Sequence, residues 1–140
     1  MKSFLYHLQI NVSDASRSLP FYKDLFKFLG YKVIEQGDDY LGVGNGLTDF
    51  WIMETKKKYS KTNFHRKNTG INHLAFGVPD KKSVDTFYTN FLIKRGLTTL
   101  YNTPKAFPEY HKHYYSVFFE DPDRIKLEVV YRPGFKILMS

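Results

Sequence analysis

Apolar residues recur along this chain in two alternating rhythms. Tyr6, Leu8, Ile10 and Val12 alternate with Leu5, His7, Gln9 and Asn11, the period of two that marks a half-buried strand. Phe21, Tyr22, Leu25, Phe26 and Leu29 then follow at helical spacing. Asp14 or Ser13 is placed to cap that helix by accepting a bond from its free N–H groups, and Gly30 fits its C-terminal stop. Pro20 lacks an N–H, so the pattern predicts a helix that starts late enough to leave Pro20 in its first turn. Three short strand-like stretches come next, approximately Tyr31–Gln36, Tyr40–Gly44 and Asp49–Glu54.

The same order returns at an offset of 66 residues, where 5–30 lies over 71–96 without a gap. Seven of those 26 positions are identical: His7/His73, Leu8/Leu74, Val12/Val78, Asp14/Asp80, Phe21/Phe87, Tyr22/Tyr88 and Gly30/Gly96. In the second copy Asn72, Leu74, Phe76 and Val78 alternate with Ile71, His73, Ala75 and Gly77, and Val84, Phe87, Tyr88, Phe91 and Leu92 take the helical spacing. Strands are expected at approximately Thr98–Asn102, Tyr114–Glu120 and Ile125–Tyr131, with an added loop at Thr103–His113. The predicted fold is α+β: two tandem βαβββ modules forming a cupped mixed sheet, with helices on its outer face. One domain would span 1–140, with modules at about 3–55 and 70–132, a connector at about 56–69 and a tail at 133–140.

Composition supports a folded chain. Of 140 residues, 42% are hydrophobic and 18% aromatic, too much apolar surface for disorder. No apolar run approaches the roughly 20 residues that span a bilayer, so no membrane partner is expected. The N-terminal stretch lacks the pattern of a secretory signal, and cytoplasmic residence is the expectation. The net charge of +7 raises the question of nucleic acid. Yet Lys56, Lys57, Lys58, Lys61, Arg66 and Lys67 supply six positive charges within the connector, where aromatic positions are not interleaved with them in any recognisable nucleic-acid module. They read as a solvated link, and no nucleic-acid partner is expected. Zero cysteines exclude disulfides and thiolate chemistry, leaving His and carboxylates as metal ligands.

Alternation assigns those ligands to a face. If Leu8 and Ile10 pack against the helix, His7 points the opposite way, and His73 occupies the matching position in the second copy. On the last strand Leu127 and Val129 would face the helices, while Lys126, Glu128 and Val130 face with the histidines. A buried carboxylate is costly unless paired or metal-bound. His7, His73 and Glu128 make the set of two imidazoles and one carboxylate suited to Fe, Mn, Ni, Co or Zn.

Tyr-His-Leu-Gln-Ile-Asn-Val-Ser-Asp, Ile-Asn-His-Leu-Ala-Phe-Gly-Val and above all Phe118–Glu128 (Phe-Phe-Glu-Asp-Pro-Asp-Arg-Ile-Lys-Leu-Glu) carry a family likeness. Over about residues 3–132 the chain resembles the vicinal oxygen chelate superfamily of glyoxalase I, bleomycin-resistance proteins, fosfomycin-resistance enzymes and extradiol dioxygenases. The resemblance implies one divalent metal at His7, His73 and Glu128, chelating two oxygens of a small-molecule substrate, and a homodimer. Trp51 stands at the remaining ligand position, where glyoxalase I has a carboxylate; Glu54, nearby, has the wrong strand parity. Family members usually carry Gly after Asp-Pro-Asp, and Arg124 departs from that pattern. The expected function is a metal-dependent glyoxalase-like enzyme of lyase, isomerase or dioxygenase type. A drug-binding protein of the bleomycin-resistance type, without catalysis, is the alternative. His111, His113, Tyr114 and Tyr115 are candidates for moving protons beside Glu128, His113 and Tyr115 foremost, with Glu54 and Glu109 as further options. Trp51, Tyr114 and His111 are candidates for contacting substrate.

Overall fold

The computed structural model describes residues 1–62 and 64–134. The chain divides into two compact units, Met1–Phe64 and His65–Ser140. The predicted tail beyond residue 134 lies outside the described residues. In the first unit, β1 (His7–Val12) leads through α1 (Ala15–Phe28) to β2 (Lys32–Gln36), β3 (Tyr40–Gly44) and β4 (Asp49–Glu54). The second runs through β5 (His73–Gly77), α2 (Lys81–Phe87), β6 (Leu100–Ala106), β7 (Tyr115–Glu120) and β8 (Lys126–Tyr131). Each sheet has four strands, ordered β1-β4-β3-β2 and β5-β8-β7-β6, with the first pair parallel and the others antiparallel. The α+β fold of two βαβββ modules is therefore present. No helix among the described residues is long and apolar enough to cross a membrane.

Both helices begin and end as their sequence signals require. Asp14 accepts from the Ser16 N–H at 2.9 Å, and Asp80 accepts from the Ser83 N–H at 2.7 Å. Gly30 and Gly96 close the helical segments with φ of 87° and 67°. Tyr31 N–H reaches the Phe26 carbonyl and Leu97 N–H reaches that of Leu92, while each glycine N–H bonds the third residue before it, so both ends form the Schellman arrangement. The second helical segment is not uniform: after α2 it continues as a π-helical stretch, Tyr88–Ile93. Pro20 departs from expectation, lying inside α1 beyond its first turn. Its ring is exposed and so is Ser16, whose carbonyl it leaves without an N–H donor, so that group meets water.

One face of each sheet is covered by its helix. Leu19, Tyr22, Leu25 and Phe26 of α1 bury themselves with Ile10, Val12, Leu41, Val43, Phe50 and Ile52; Phe26 and Phe50 have ring centroids 4.8 Å apart. Val84, Phe87, Phe91 and Leu92 do the same with Phe76, Val117, Phe119, Leu127 and Val129. His7, Gln9 and Asn11 are exposed on the opposite face of β1, as alternation predicted. Tyr6, expected on the helix side, precedes β1 and is 65% exposed.

Two segments differ from the sequence reading. Part of the expected loop at Thr103–His113 belongs to β6, whose register against β7 shifts between Leu100 and Lys105. Within that irregularity Tyr101 and Asn102 adopt left-handed backbone, φ 61° and 54°. The connector is also not wholly solvated: Arg66 is half-buried, with its guanidinium on Glu120 and on the Arg124 carbonyl. The Asp121–Ile125 turn keeps the conformation that favours glycine, because Arg124 has φ 65° and Asp121 accepts from the N–H groups of Asp123 and Ile125.

Left-handed backbone costs a non-glycine residue roughly 1–2 kcal/mol. Glycine's greater unfolded-state freedom offsets about 0.4–1 kcal/mol of that. The exposed Arg124–Glu120 ion pair, 3.6 Å, adds little. Arg124→Gly is therefore expected to stabilise the protein by about 0.5–1 kcal/mol, read from the urea midpoint.

Candidate functional site

Glu128 is the anchor of the site. It lies on β8, in register with Ala75 of β5 and Phe118 of β7, and is 1% exposed. Such a carboxylate needs partners; here one oxygen takes a hydrogen bond and the other faces an imidazole nitrogen. Tyr114 donates its hydroxyl to Oε1 at 2.6 Å, while His73 Nε2 stands 3.2 Å from Oε2. Burial, reinforced by the bond to Glu128, pushes the Tyr114 phenol far above the ordinary tyrosine value, so it acts as a neutral donor.

The other ring nitrogen of His73 is also held. Nδ1 lies 2.8 Å from Oδ1 of Asn72, whose amide nitrogen donates to the Arg66 carbonyl at 3.1 Å. That second bond orients the amide, so Oδ1 is the acceptor and His73 Nδ1 carries hydrogen. Nε2 is thereby directed at Glu128. An imidazole anchored through its outer N–H, beside a carboxylate with one oxygen already bonded, is the support that metal ligands require. His73 and Glu128 thus fit a divalent ion by donor type and by orientation. Among the described residues of either unit, no three His or carboxylate side chains gather into a metal-binding group. His7 lies in the first unit, on β1.

Aromatic rings surround this pair. Phe118 is their hub: its centroid is 5.9 Å from that of His73, 5.4 Å from Tyr101 and 5.6 Å from Phe107. Tyr110 stacks on Phe107 at 5.4 Å and meets Tyr114 edge-on at the same distance. Ser116, on the same strand face as Phe118, has a buried hydroxyl with no hydrogen-bond partner.

The other sequence candidates are distributed differently. Tyr115 faces α2 rather than Glu128; its hydroxyl bonds Asp85 at 2.7 Å, and burial with that bond raises it to about 12. The sheet separates it from the carboxylate it was expected to assist, since neighbouring strand residues point to opposite faces. His113 is exposed, and its N–H donates to His111 Nδ1 at 3.1 Å. The His111 pKa is lowered by desolvation and by the nearby cations Arg132 and Lys112, with His113 adding to the same direction. No hydrogen bond joins either histidine to Glu128 among the described residues. Glu109 is exposed, and Glu54 accepts from the Ala15 N–H at 2.7 Å, supporting the start of α1.

Trp51 pairs with Gln9 on the strand next to His7, just as Glu128 pairs with Ala75 next to His73. Register therefore makes Trp51 and Glu128 equivalent. Its ring lies on Gly42, where a Cβ would fall 2.5 Å from the indole. Asn72 was missed because strand alternation sets it apart from His73; β5 starts only at His73, so the pleat does not hold Asn72. The roles of Phe118 and Tyr101 had no signal in periodicity, since a bulge brings Tyr101 over the face.

A model of the Glyoxalase/Bleomycin resistance protein/Dioxygenase superfamily matches residues 5–129. The chain belongs to that superfamily. As a superfamily member it is 34% identical over 126 residues to the uncharacterised protein YqjT of Bacillus subtilis, covering 90% of this chain and 97% of the relative. A glyoxalase-like protein of Bacillus halodurans superposes with a TM-score of 0.84 at 34% identity, over 94% of this chain and 97% of its own. Lactoylglutathione lyase of Agrobacterium tumefaciens shares the fold, with a TM-score of 0.64 at 16% identity, over 93% and 94% of the two chains.

Two substitutions test this geometry. Tyr114→Phe leaves Oε1 of Glu128 without its donor and is expected to cost about 1.5–3 kcal/mol in chemical denaturation. Gly42→Ala forces the indole from its seat, costing about 1–3 kcal/mol. Because Trp51 is the single tryptophan, its emission should shift to the red in that variant.

Proposed function

We propose that this superfamily member is a divalent-metal-dependent, glyoxalase-like enzyme acting on a small oxygenated molecule held through two oxygens. The observation that carries this reading is the opposed pair of His73 Nε2 and Glu128 Oε2, with the far nitrogen of His73 anchored on Asn72. His73 and Glu128 supply two ligands; the repeat equivalence of His7 and His73 makes His7 the third, from the same chain or from a second copy in a homodimer. When bound, the metal would supply Lewis acidity and a template for the two substrate oxygens. Tyr114 keeps Glu128 turned so that one oxygen stays available, and Phe118 and Phe107 give that face an aromatic border. With Tyr115 committed to Asp85, His111 and His113 remain the candidates for carrying protons, and Trp51 for contacting substrate. Fe, Mn, Ni, Co and Zn all suit this ligand set. The reaction falls in the lyase, isomerase or dioxygenase class, and the expected location is cytoplasmic.

A second reading, a drug- or metabolite-binding protein without catalysis, draws support from the same ring cluster and from Trp51 in the equivalent of the Glu128 position. Metal content and turnover separate the two. Protein purified without added metal should carry about one divalent ion per active site, lost in His7→Ala, His73→Ala and Glu128→Ala. Asn72→Ala should weaken metal affinity roughly 10- to 100-fold by titration. Metal uptake indifferent to these substitutions overturns the proposal. A screen of metal-loaded protein against methylglyoxal–thiol adducts, catechols and fosfomycin then assigns the reaction; tight binding without turnover under any metal favours the second reading.

A further inference from the structure

Lys126 stands beside this site with a positive charge that no carboxylate among the described residues takes up. It is half-buried on β8, in register with His73 on one side and Glu120 on the other. Glu120 is the obvious partner, yet its two oxygens serve the two arginines: Oε1 bonds Arg66 and Oε2 pairs with Arg124. Among the described residues no carboxylate forms an ion pair with Lys126. Its ammonium instead lies over two ring faces, 4.9 Å from the Tyr101 centroid and 4.7 Å from that of Phe118. Those rings hold the cation in place without neutralising it.

The position is also specific. Phe118 packs edge-on to His73 and pairs with Glu128, so one ring borders the candidate ligands and carries the ammonium. Tyr101 reaches Phe118 from left-handed backbone, a conformation that costs energy for a residue of its kind. A cation seated between two aromatic faces offers a compact anion a charge-assisted bond and offers a planar group a surface to lie against.

We infer that Lys126 reads an anionic group on the substrate, which is therefore a small planar or apolar molecule bearing a carboxylate or a similarly compact anion beside its chelating oxygens. This rests on the proposed function for the location of the site, but the charge recognition belongs to the protein alone and is testable without metal. Benzoate and benzamide share one ring and differ in charge. The full chain, stripped of metal by chelator, is titrated with each up to millimolar concentrations and followed by NMR shifts.

Benzoate should bind at least about tenfold more tightly than benzamide, the strength of one charge-assisted hydrogen bond. Lys126→Met should abolish that preference and Lys126→Arg should retain it, since arginine keeps both the charge and the ring contact. Equal binding of the two probes, no binding of benzoate, or a preference that survives Lys126→Met overturns the inference. These outcomes leave the metal reading intact, because that stands or falls on metal content and on His73 and Glu128.

Discussion

The burial of Glu128 constrains the second unit more than any other single feature. A carboxylate 1% exposed must be matched by fixed donors or counter-charges, because removing one partner of a buried pair costs about 3–5 kcal/mol. Its neighbours are arranged accordingly. Tyr114 approaches from the loop before β7 and takes one oxygen, leaving the other toward His73. His73 in turn depends on Asn72, and Asn72 on the carbonyl of Arg66. Arg66 is fastened to Glu120 and to the Asp121–Ile125 turn that feeds β8. The hydrogen-bonded path thus begins at Glu128 on β8 and ends at Glu120 of β7 and in the turn that leads into β8, so the connector residues nearest β5 are part of the site's support.

Repetition explains why the two units share a fold and yet differ in chemistry. Gly42 opposite Trp51 in the first unit corresponds to Phe118 opposite Glu128 in the second. In one unit the large ring sits on the last strand and needs glycine beside it. In the other the ring moves to the neighbouring strand, and the position it vacates holds the carboxylate. The pleat permits either arrangement, because a pair of facing positions limits combined volume more than identity. The repeat therefore presents two copies of one scaffold, with a polar site at one position and an aromatic surface at its equivalent.

The sequence was most legible where local rules act alone. Three strands of the first unit, both N-caps and both glycine stops follow from spacing and residue type, since each depends on bonds within a few residues. The shared face of His73 and Glu128 followed too, because the period of two assigns faces whatever the surroundings. Pro20 violated its rule because the exposed side of α1 lets water serve the carbonyl it leaves free. The Tyr114–Tyr115 pair could be split between faces but not assigned, since β7 begins at Tyr115 and a residue outside the pleat is not bound by its parity. Asn72 was hidden for the same reason at the start of β5. The bulge in β6 was invisible: it consists of a tyrosine and an asparagine in a conformation that sequence reserves for glycine.

That bulge bears on how such a site can persist. Among the described residues, positive φ outside glycine occurs at Tyr101, Asn102 and Arg124, all in the second unit. Two of them support the face that carries Glu128. Tyr101 brings a ring to Phe118, Asn102 completes the irregular turn, and Arg124 offers its carbonyl to Arg66. The first unit, with Trp51 where the second has Glu128, meets its positive-φ positions with glycine alone. Backbone strain is sustained only where surrounding contacts outweigh it. In the second unit those contacts are the ones that hold a buried carboxylate, an oriented imidazole and an unpaired ammonium side by side. At Tyr101 strain and polar chemistry coincide, because the left-handed backbone brings the ring that meets Phe118 and the Lys126 ammonium.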